Sequence, residues 1–212
     1  MRFNSAQIQK IGKEIRSKVD GKTLFDEFSR GRYSTDASVY QIKPLGVVLP
    51  KDTNDVLSLM EYSQKNSVPL LARGGGSSQC GQTVGESVVL DYSKHQNKIL
   101  ELNVEEKYVW VQPGVVLDHL NAYLKPHGLW FPVDVSTSSR ATIGGMSANN
   151  SCGSRSLYYG NMVHNVLAIE AILDDGSIFN FDQINKNYLA TKNNQDRLYK
   201  IIDKFIHVRH KI

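Results

Sequence analysis

Apolar residues recur at spacings of three and four through Ile8, Ile11, Ile15 and Val19, a stripe that predicts an amphipathic helix from about Ser5 to Phe28. The next stretch, SRGRYSTDASVYQIKP, has no period and predicts an irregular linker. GVVLP predicts a short buried strand stopped by Pro50, and KDTNDVLSLMEYSQKN a helix capped by Asp52 or Thr53. SVPLLAR predicts another strand. SVVLDYS, KILELN and YVWVQPG are β-rich, with the polar residues Asn103 to Lys107 joining the last two as a hairpin. VVLDHLNAYLKPHG has helical spacing and a Pro–His–Gly exit. NVLAIEAILDDGSIFNF predicts two strands about an Asp–Gly turn, and NQDRLYKIIDKFIHV a closing amphipathic helix.

Two stretches fit neither period. LARGGGSSQCGQTVG follows an apolar strand, and Ser136 to Gly160 is long, poor in charge and rich in Gly, Ser, Thr and Asn. Long loops in a compact domain are usually functional or disordered, and so little charge argues against a solvated linker. Two purely structural turns remain the plain alternative.

Composition narrows the ligand. The chain has 212 residues, 41% hydrophobic and 22% charged, as in a soluble globular protein. The net charge of +4 is spread out apart from the tail KFIHVRHKI and is not interleaved with aromatic residues, so no nucleic-acid partner is expected. Cys80 and Cys152 form no CxxC, so neither a zinc ribbon nor a redox pair is expected, and no metal site. The first residues lack the apolar stretch of a signal peptide, and no apolar run approaches the ~20 residues of a membrane span. The expected place is the cytoplasm, with a peripheral site at the inner face of the membrane as a variant.

Gly76 to Thr83 nearly spells a phosphate-binding P-loop, but Gln82 stands where that motif has its lysine. Nucleotide hydrolysis would lack its main cation. Consecutive backbone amides at a glycine-rich turn can still cradle an anion, which suffices for a diphosphate with no bond to break. No G-x-G-x-x-G stands at a strand-to-helix junction, so a Rossmann site is not predicted either. Arg73 would add charge or form a structural ion pair. In the second stretch Thr142, Gly144 and Gly145 predict the opening of a short helix around Met146 to Asn150, with unpaired amides at its start. Asn149, Asn150 and Ser151 offer uncharged donors and acceptors suited to a flat ring such as a flavin; capping and turn chemistry is the competing reading.

PLLARGGGSSQCGQ, VQPGV, FPVDVSTSSRATIGGMSANNSCGSRSLYYGN and LAIEAILDDGSI, in that order, closely resemble the FAD-binding domain of FAD-linked oxidases, the fold of vanillyl-alcohol oxidase. The nearest group holds D-lactate dehydrogenase, the glycolate oxidase subunit and D-2-hydroxyglutarate dehydrogenase. The likeness covers roughly Arg32 to Asn180. It implies an α+β fold: a two-lobed FAD-binding domain with a small α/β lobe from about Val47 to Asp91, a larger lobe with mixed or antiparallel sheet, and FAD between them. It also implies an N-terminal helical extension and linker over residues 1–38, the FAD-binding domain over 39–184, and a C-terminal helix over 185–212.

The resemblance assigns the cofactor contacts residue by residue. Arg73, Gly74, Gly75, Gly76, Ser77, Ser78 and Gln79 would wrap the FAD pyrophosphate with backbone amides, with Gly81 and Gln82 closing the turn. Pro113 and Gly114 would shape the neighbouring wall. Pro132, Asp134 and Ser136 would lie by the flavin and its diphosphate, and Thr142, Gly144 and Gly145 by the diphosphate and ribityl chain. Ala148, Asn149, Asn150, Ser151, Cys152 and Gly153 would line the flavin ring. Gly160, Asn161, Val166 and Ile169 would approach the ribityl chain or adenine through backbone. Covalent-flavin members carry a histidine in the glycine-rich loop; Ser77 stands there, so non-covalent FAD is expected. Cys152 as an attacking thiol is outweighed by its reading as a small loop residue.

In the complete family a 2-hydroxy acid gives a hydride to flavin N5, a base takes the hydroxyl proton and arginines hold the carboxylate. The family's second FAD segment, its substrate-binding cap domain and the iron–sulfur module of its long members find no counterpart here. The expected function is therefore the FAD-binding domain of a 2-hydroxyacid dehydrogenase, incomplete and inactive alone. The alternatives are a non-catalytic nucleotide- or diphosphate-binding module, and one subunit of a split oxidoreductase with its substrate half on another chain. No catalytic base is assignable. His119 and His127 read as packing or capping residues, His164 lies near the flavin loop in sequence, and His207 and His210 lack further metal ligands. Arg32 and Tyr40 are remote candidates for facing substrate.

Overall fold

The computed structural model describes residues 3–181. Its first unit comprises residues 1–166 and 172–177. Helix α1 (Ser5–Arg16) opens with Asn4 and Gln7 in a reciprocal capping box and buries Ile8, Ile11 and Ile15. The predicted helix to Phe28 stops at Arg16 instead, although Val19 continues its stripe. The reason is tertiary: the carboxylate of Asp55, far along the chain, accepts the amides of Asp20 at 2.8 Å, Gly21 at 2.9 Å and Lys51 at 2.7 Å. That capture turns the chain into β1 (Lys22–Leu24), which the sequence reading did not contain. Asp26 then caps α2 (Glu27–Arg32), which straddles the end of the expected helix at Phe28 and the start of the stretch expected to be an irregular linker.

The strand β2 (Gly46–Leu49), the helix α3 (Thr53–Asn66) capped by Asp52, and the strands β3 (Leu70–Arg73) and β4 (Val88–Asp91) follow as predicted. They form a four-stranded sheet in the order β1-β2-β4-β3, with β1 antiparallel to β2 and the other pairs parallel. The two central strands are buried along their whole length, as parallel strands covered on both faces require. On one face Val48, Val88 and Leu90 pack with α1 and with Val56, Leu59 and Tyr62 of α3. On the other Val47, Leu49 and Val89 meet Leu24, Tyr33 and Leu71.

The hairpin β5 (Ile99–Asn103) and β6 (Tyr108–Val111) is antiparallel, and its apolar side packs against Val115 and against Leu120 and Leu124 of α4 (Leu117–Leu124). One turn of 3-10 helix then leads to Gly128 at φ +69°, the expected Pro–His–Gly exit. Short helices follow: α5 (Ile143–Ala148), α6 (Ser156–Tyr159) and α7 (Met162–Asn165). The helix expected at Met146 to Asn150 thus begins at Ile143, because Thr142 supplies the cap. Met146 and Met162 share a core with Leu117 and Val133.

The described part of the second unit is residues 167–171 and 178–181. The strands β7 (Ile169–Ile172) and β8 (Ile178–Phe181) pair as predicted. The closing helix and the His207–His210 pair lie outside the described residues. No helix among the described residues is long and apolar enough to cross a membrane.

Candidate functional site

The glycine-rich loop leaves the end of β3 and runs into β4, not into a helix. That order removes the P-loop reading, whose phosphate cradle ends on a helix N-terminus. The loop's amides are free. Among the described residues, no hydrogen bond engages the backbone N–H of any residue from Gly74 to Gln79. Gly76 is left-handed at φ +63°, the handedness change that turns successive amides toward one anion. Ser78 and Gln82 bond each other through their side chains across the base of the turn.

Arg73 is engaged by protein carbonyls. Its guanidinium donates to the carbonyls of Thr83 at 3.1 Å and Thr35 at 2.8 Å, and lies 5.3 Å from the centre of the Tyr33 ring. Burial lowers its pKa, and nearby Asp91 and Asp36 work against that shift. A Cβ on Gly76 would strike this same guanidinium. The cation therefore braces the loop at Gly76 and Thr83. The sequence reading missed Tyr33, Thr35, Asp36, Thr83 and Asp91 as its partners. A signal was present: an Asp closing the apolar run VVLD is a charge that needs company.

The two glycine-rich stretches meet. A Cβ on Gly74 would collide with the Thr142 hydroxyl, and one on Gly75 with the carbonyl oxygen of Arg140. Gln82 Nε2 donates to Asn149 Oδ1 at 2.9 Å, a second tie between the loops. Bare backbone at 74–75 is thus required by the neighbouring chain as well as by any ligand. Pro113 and Gly114 lie beneath the second loop: Gly144 donates to the Pro113 carbonyl at 2.9 Å, and Gly114 to the Gln96 carbonyl at 2.7 Å.

The start of α5 is not the open anion site expected of it. Ile143 N–H donates to Val115 at 2.8 Å, and Met146 N–H to Thr142 at 2.8 Å. Gly145 N–H donates to the Thr142 hydroxyl at 3.3 Å. With Gly144 committed as well, every first-turn amide has a protein partner, so the free donors belong to the first loop alone.

Asp134 fastens the next turn. It accepts the Ser154 hydroxyl at 2.7 Å and the Arg155 amide at 3.1 Å, with Arg155 Nε at 3.6 Å. The Ser154 hydroxyl first, then the Arg155 amide and charge, hold its carboxyl below the usual range. Gly153 lies against Asp134 too closely for any side chain. Asn150, left-handed at φ +44°, accepts the Val163 amide at 3.0 Å, and the Ser151 carbonyl accepts that of Met162 at 3.0 Å. Gly160 sits at φ +76° over the His164 ring, and Asn161 caps α7 with His164 Nδ1 accepting its amide at 3.1 Å. Val166 packs with the Met146–Met162 core.

Gly75, Gln79, Gln82, Gly145, Ala148, Asn149, Asn150 and Cys152 are exposed, whereas Ser77 and Pro132 are half-buried. Ser136 is exposed on the 132–138 stretch, and Ile169 belongs to the second unit. His119 and His127 are exposed on α4 and its exit, the latter ring 6.2 Å from that of Tyr123.

The arrangement suits a ligand with a central diphosphate: six amides at one turn without a partner among the described residues, and a rim of polar uncharged residues alongside. Comparison with known proteins agrees. Residues 44–182 match the FAD binding domain family. The chain is 42% identical over 155 residues to the D-2-hydroxyglutarate dehydrogenase of Haemophilus influenzae, covering 72% of this chain and 15% of that protein. It is 37% identical over 176 residues to the glycolate oxidase subunit GlcD of Bacillus subtilis, covering 81% and 37%. The chain thus spans well under half the length of these relatives. In fold it is similar to alkyldihydroxyacetonephosphate synthase, with a TM-score of 0.71 at 20% identity over 87% of this chain and 36% of that one. The Physcomitrella patens BBE-like 1 protein gives 0.70 at 20% identity over 88% and 39%. A glycine-rich turn with uncommitted amides at the end of β3, a second loop packed on it, and this match across residues 44–182 lead to one conclusion: the chain belongs to the FAD-binding domain family of the FAD-linked oxidases, with the α+β fold of the vanillyl-alcohol oxidase type.

Proposed function

We propose that the chain holds FAD non-covalently for a dehydrogenase that oxidises a 2-hydroxy acid of the D-lactate or D-2-hydroxyglutarate kind. The observation that carries this reading is the run of uncommitted amides from Gly74 to Gln79 around left-handed Gly76. Residues 39–184 are the cofactor-holding part. The Gly74–Gln79 amides take the diphosphate, and Asn149 and its exposed neighbours flank the ring. When bound, FAD supplies the two-electron acceptor, and the protein supplies position and field. Ser77 in the loop leaves no histidine there for a covalent flavin link. The relatives' names supply the substrate class, since they are dehydrogenases of D-2-hydroxyglutarate and D-lactate and a glycolate oxidase subunit.

Among the described residues of this rim, no side chain is assigned as proton acceptor for a substrate hydroxyl. His164 Nδ1 is spent on the Asn161 amide. The chain by itself is therefore expected to bind FAD without turning over. A substrate half outside these residues is also favoured by exposed apolar side chains: Leu157 and Tyr158 are 104% and 85% exposed, and Trp130 meets Tyr159 edge-on at 5.2 Å.

Added FAD should turn the purified chain yellow and quench free-flavin fluorescence at one equivalent, with ATP failing to compete. A colourless chain that takes up ATP would reject the reading. D-lactate or D-2-hydroxyglutarate should leave the bound flavin oxidised; bleaching would place a complete substrate site within the 212 residues.

A further inference from the structure

We infer that the segment from Tyr33 to Ile42, which precedes the family-matched residues, is a clamp that sets the glycine-rich loop for its ligand, with Asp36, Thr83 and Tyr40 as positioning residues. The inference rests on the FAD-holding reading above.

The segment is braced within itself. Ile42 N–H donates to the Ser34 carbonyl at 2.8 Å, Thr35 bridges Gln41, and Ser38 N–H donates to Asp36 Oδ1 at 2.8 Å. From that rigid base it reaches the loop at both ends. At the start, the Thr35 carbonyl takes the Arg73 guanidinium at 2.8 Å, and Tyr33 lies under the same cation while donating to Asp91 at 2.6 Å. At the far end, Thr83 Oγ1 donates to Asp36 Oδ2 at 2.9 Å. The Tyr40 ring lies flush on left-handed Gly81, where any Cβ would meet the ring edge. Arg73 links the two ends, since its other nitrogen holds the Thr83 carbonyl.

The tip, Gly74 to Gln79, spends no amide on the protein, so its own hydrogen bonds do little to fix it. Its geometry is set from outside, by the second loop pressing on Gly74 and Gly75 and by this clamp on Arg73, Gly81 and Thr83. Free amides held in place before the ligand arrives cost less to order on binding. Slackening the clamp at Asp36, Thr83 or Tyr40 should weaken FAD binding while leaving the core alone, because none of these three residues belongs to the cores around β2 and β4.

The test is an FAD titration, followed by flavin fluorescence, on the 212-residue chain and three variants. Asp36→Ala should raise the dissociation constant about tenfold, the scale of one lost charge-assisted bond. Asp36→Asn should return it to within about threefold, since its oxygen still accepts Ser38 and its NH2 still reaches Thr83 Oγ1. Thr83→Val, which keeps the side-chain volume, should weaken binding several-fold and carries the test should Asp36→Ala not fold. The double variant Asp36→Ala/Thr83→Val should bind no more weakly than Asp36→Ala alone, because both break one link. Thermal melting of the FAD-free variants should stay close to the parent. Failure of the parent chain to take up FAD would sink the cofactor reading and the clamp with it. Parent binding with unchanged variants, or losses that add in full, would overturn the clamp alone.

Discussion

Gly75 shows how one residue serves two masters. Its amide is free for a ligand, while its missing Cβ leaves room for the Arg140 carbonyl of the other loop. Gly75→Val should therefore push the loops apart and cut FAD affinity by about a hundredfold or more, on the scale of an overpacked contact of roughly 3 kcal/mol. Circular dichroism should show the fold retained, because the sheet core lies elsewhere. Gly145→Ala is the matching control: its Cβ would stand 3.1 Å from the Thr142 hydroxyl, a smaller intrusion that a side chain can yield to. Binding by Gly75→Val equal to the parent would show that the loops need not touch. The need for glycine here was legible in the run of three; the identity of the neighbour was not, because Arg140 is far away in sequence.

Among the elements, the boundary between α1 and β1 depends on Asp55. This carboxylate is 4% exposed and accepts three backbone amides from two segments. Asp55→Ala would strand those donors and should cost roughly 3 kcal/mol of stability, read as a lower urea midpoint with an unchanged slope. Asp55→Asn should cost less, since one oxygen remains. A midpoint unchanged in Asp55→Ala would mean water satisfies the turn. Most elements were readable from period and caps: β2, α3, β3, β4, the β5–β6 hairpin and the β7–β8 pair all fall where spacing placed them. The misplacements, α1 overrunning into β1 and α5 starting at Ile143 ahead of Met146, come where a side chain captures backbone amides. Asp55 does so from a distant part of the chain and Thr142 from the helix's own cap.

Across the whole molecule, buried phenols set an alkaline limit. Burial pushes the pKa of Tyr92 up to about 12. Burial first, and then hydrogen bonds to Asp91 and Glu14, raise those of Tyr33 and Tyr62 as well. A raised pKa in the folded state means the neutral phenol is favoured there. Its contribution is complete below the unfolded value of about 10 and is lost as pH rises toward the folded one. Unfolding should therefore steepen above about pH 10, read as loss of ellipticity. Tyr92→Phe should flatten that limb; an alkaline limb left unchanged by Tyr92→Phe would contradict the burial.

Sequence alone determined the family and the placement of most strands and helices. Those properties reside in local period and in the order of short motifs. Tertiary structure decided which donors are free. By sequence, Arg73 and the start of α5 were candidate anion binders as good as Gly74 to Gln79. Folding spends the Arg73 charge on the carbonyls of Thr35 and Thr83 and the α5 amides on Pro113, Val115 and Thr142. A hydrogen-bonding group binds a ligand only if no nearer partner has taken it, and partners across the chain are set by the fold.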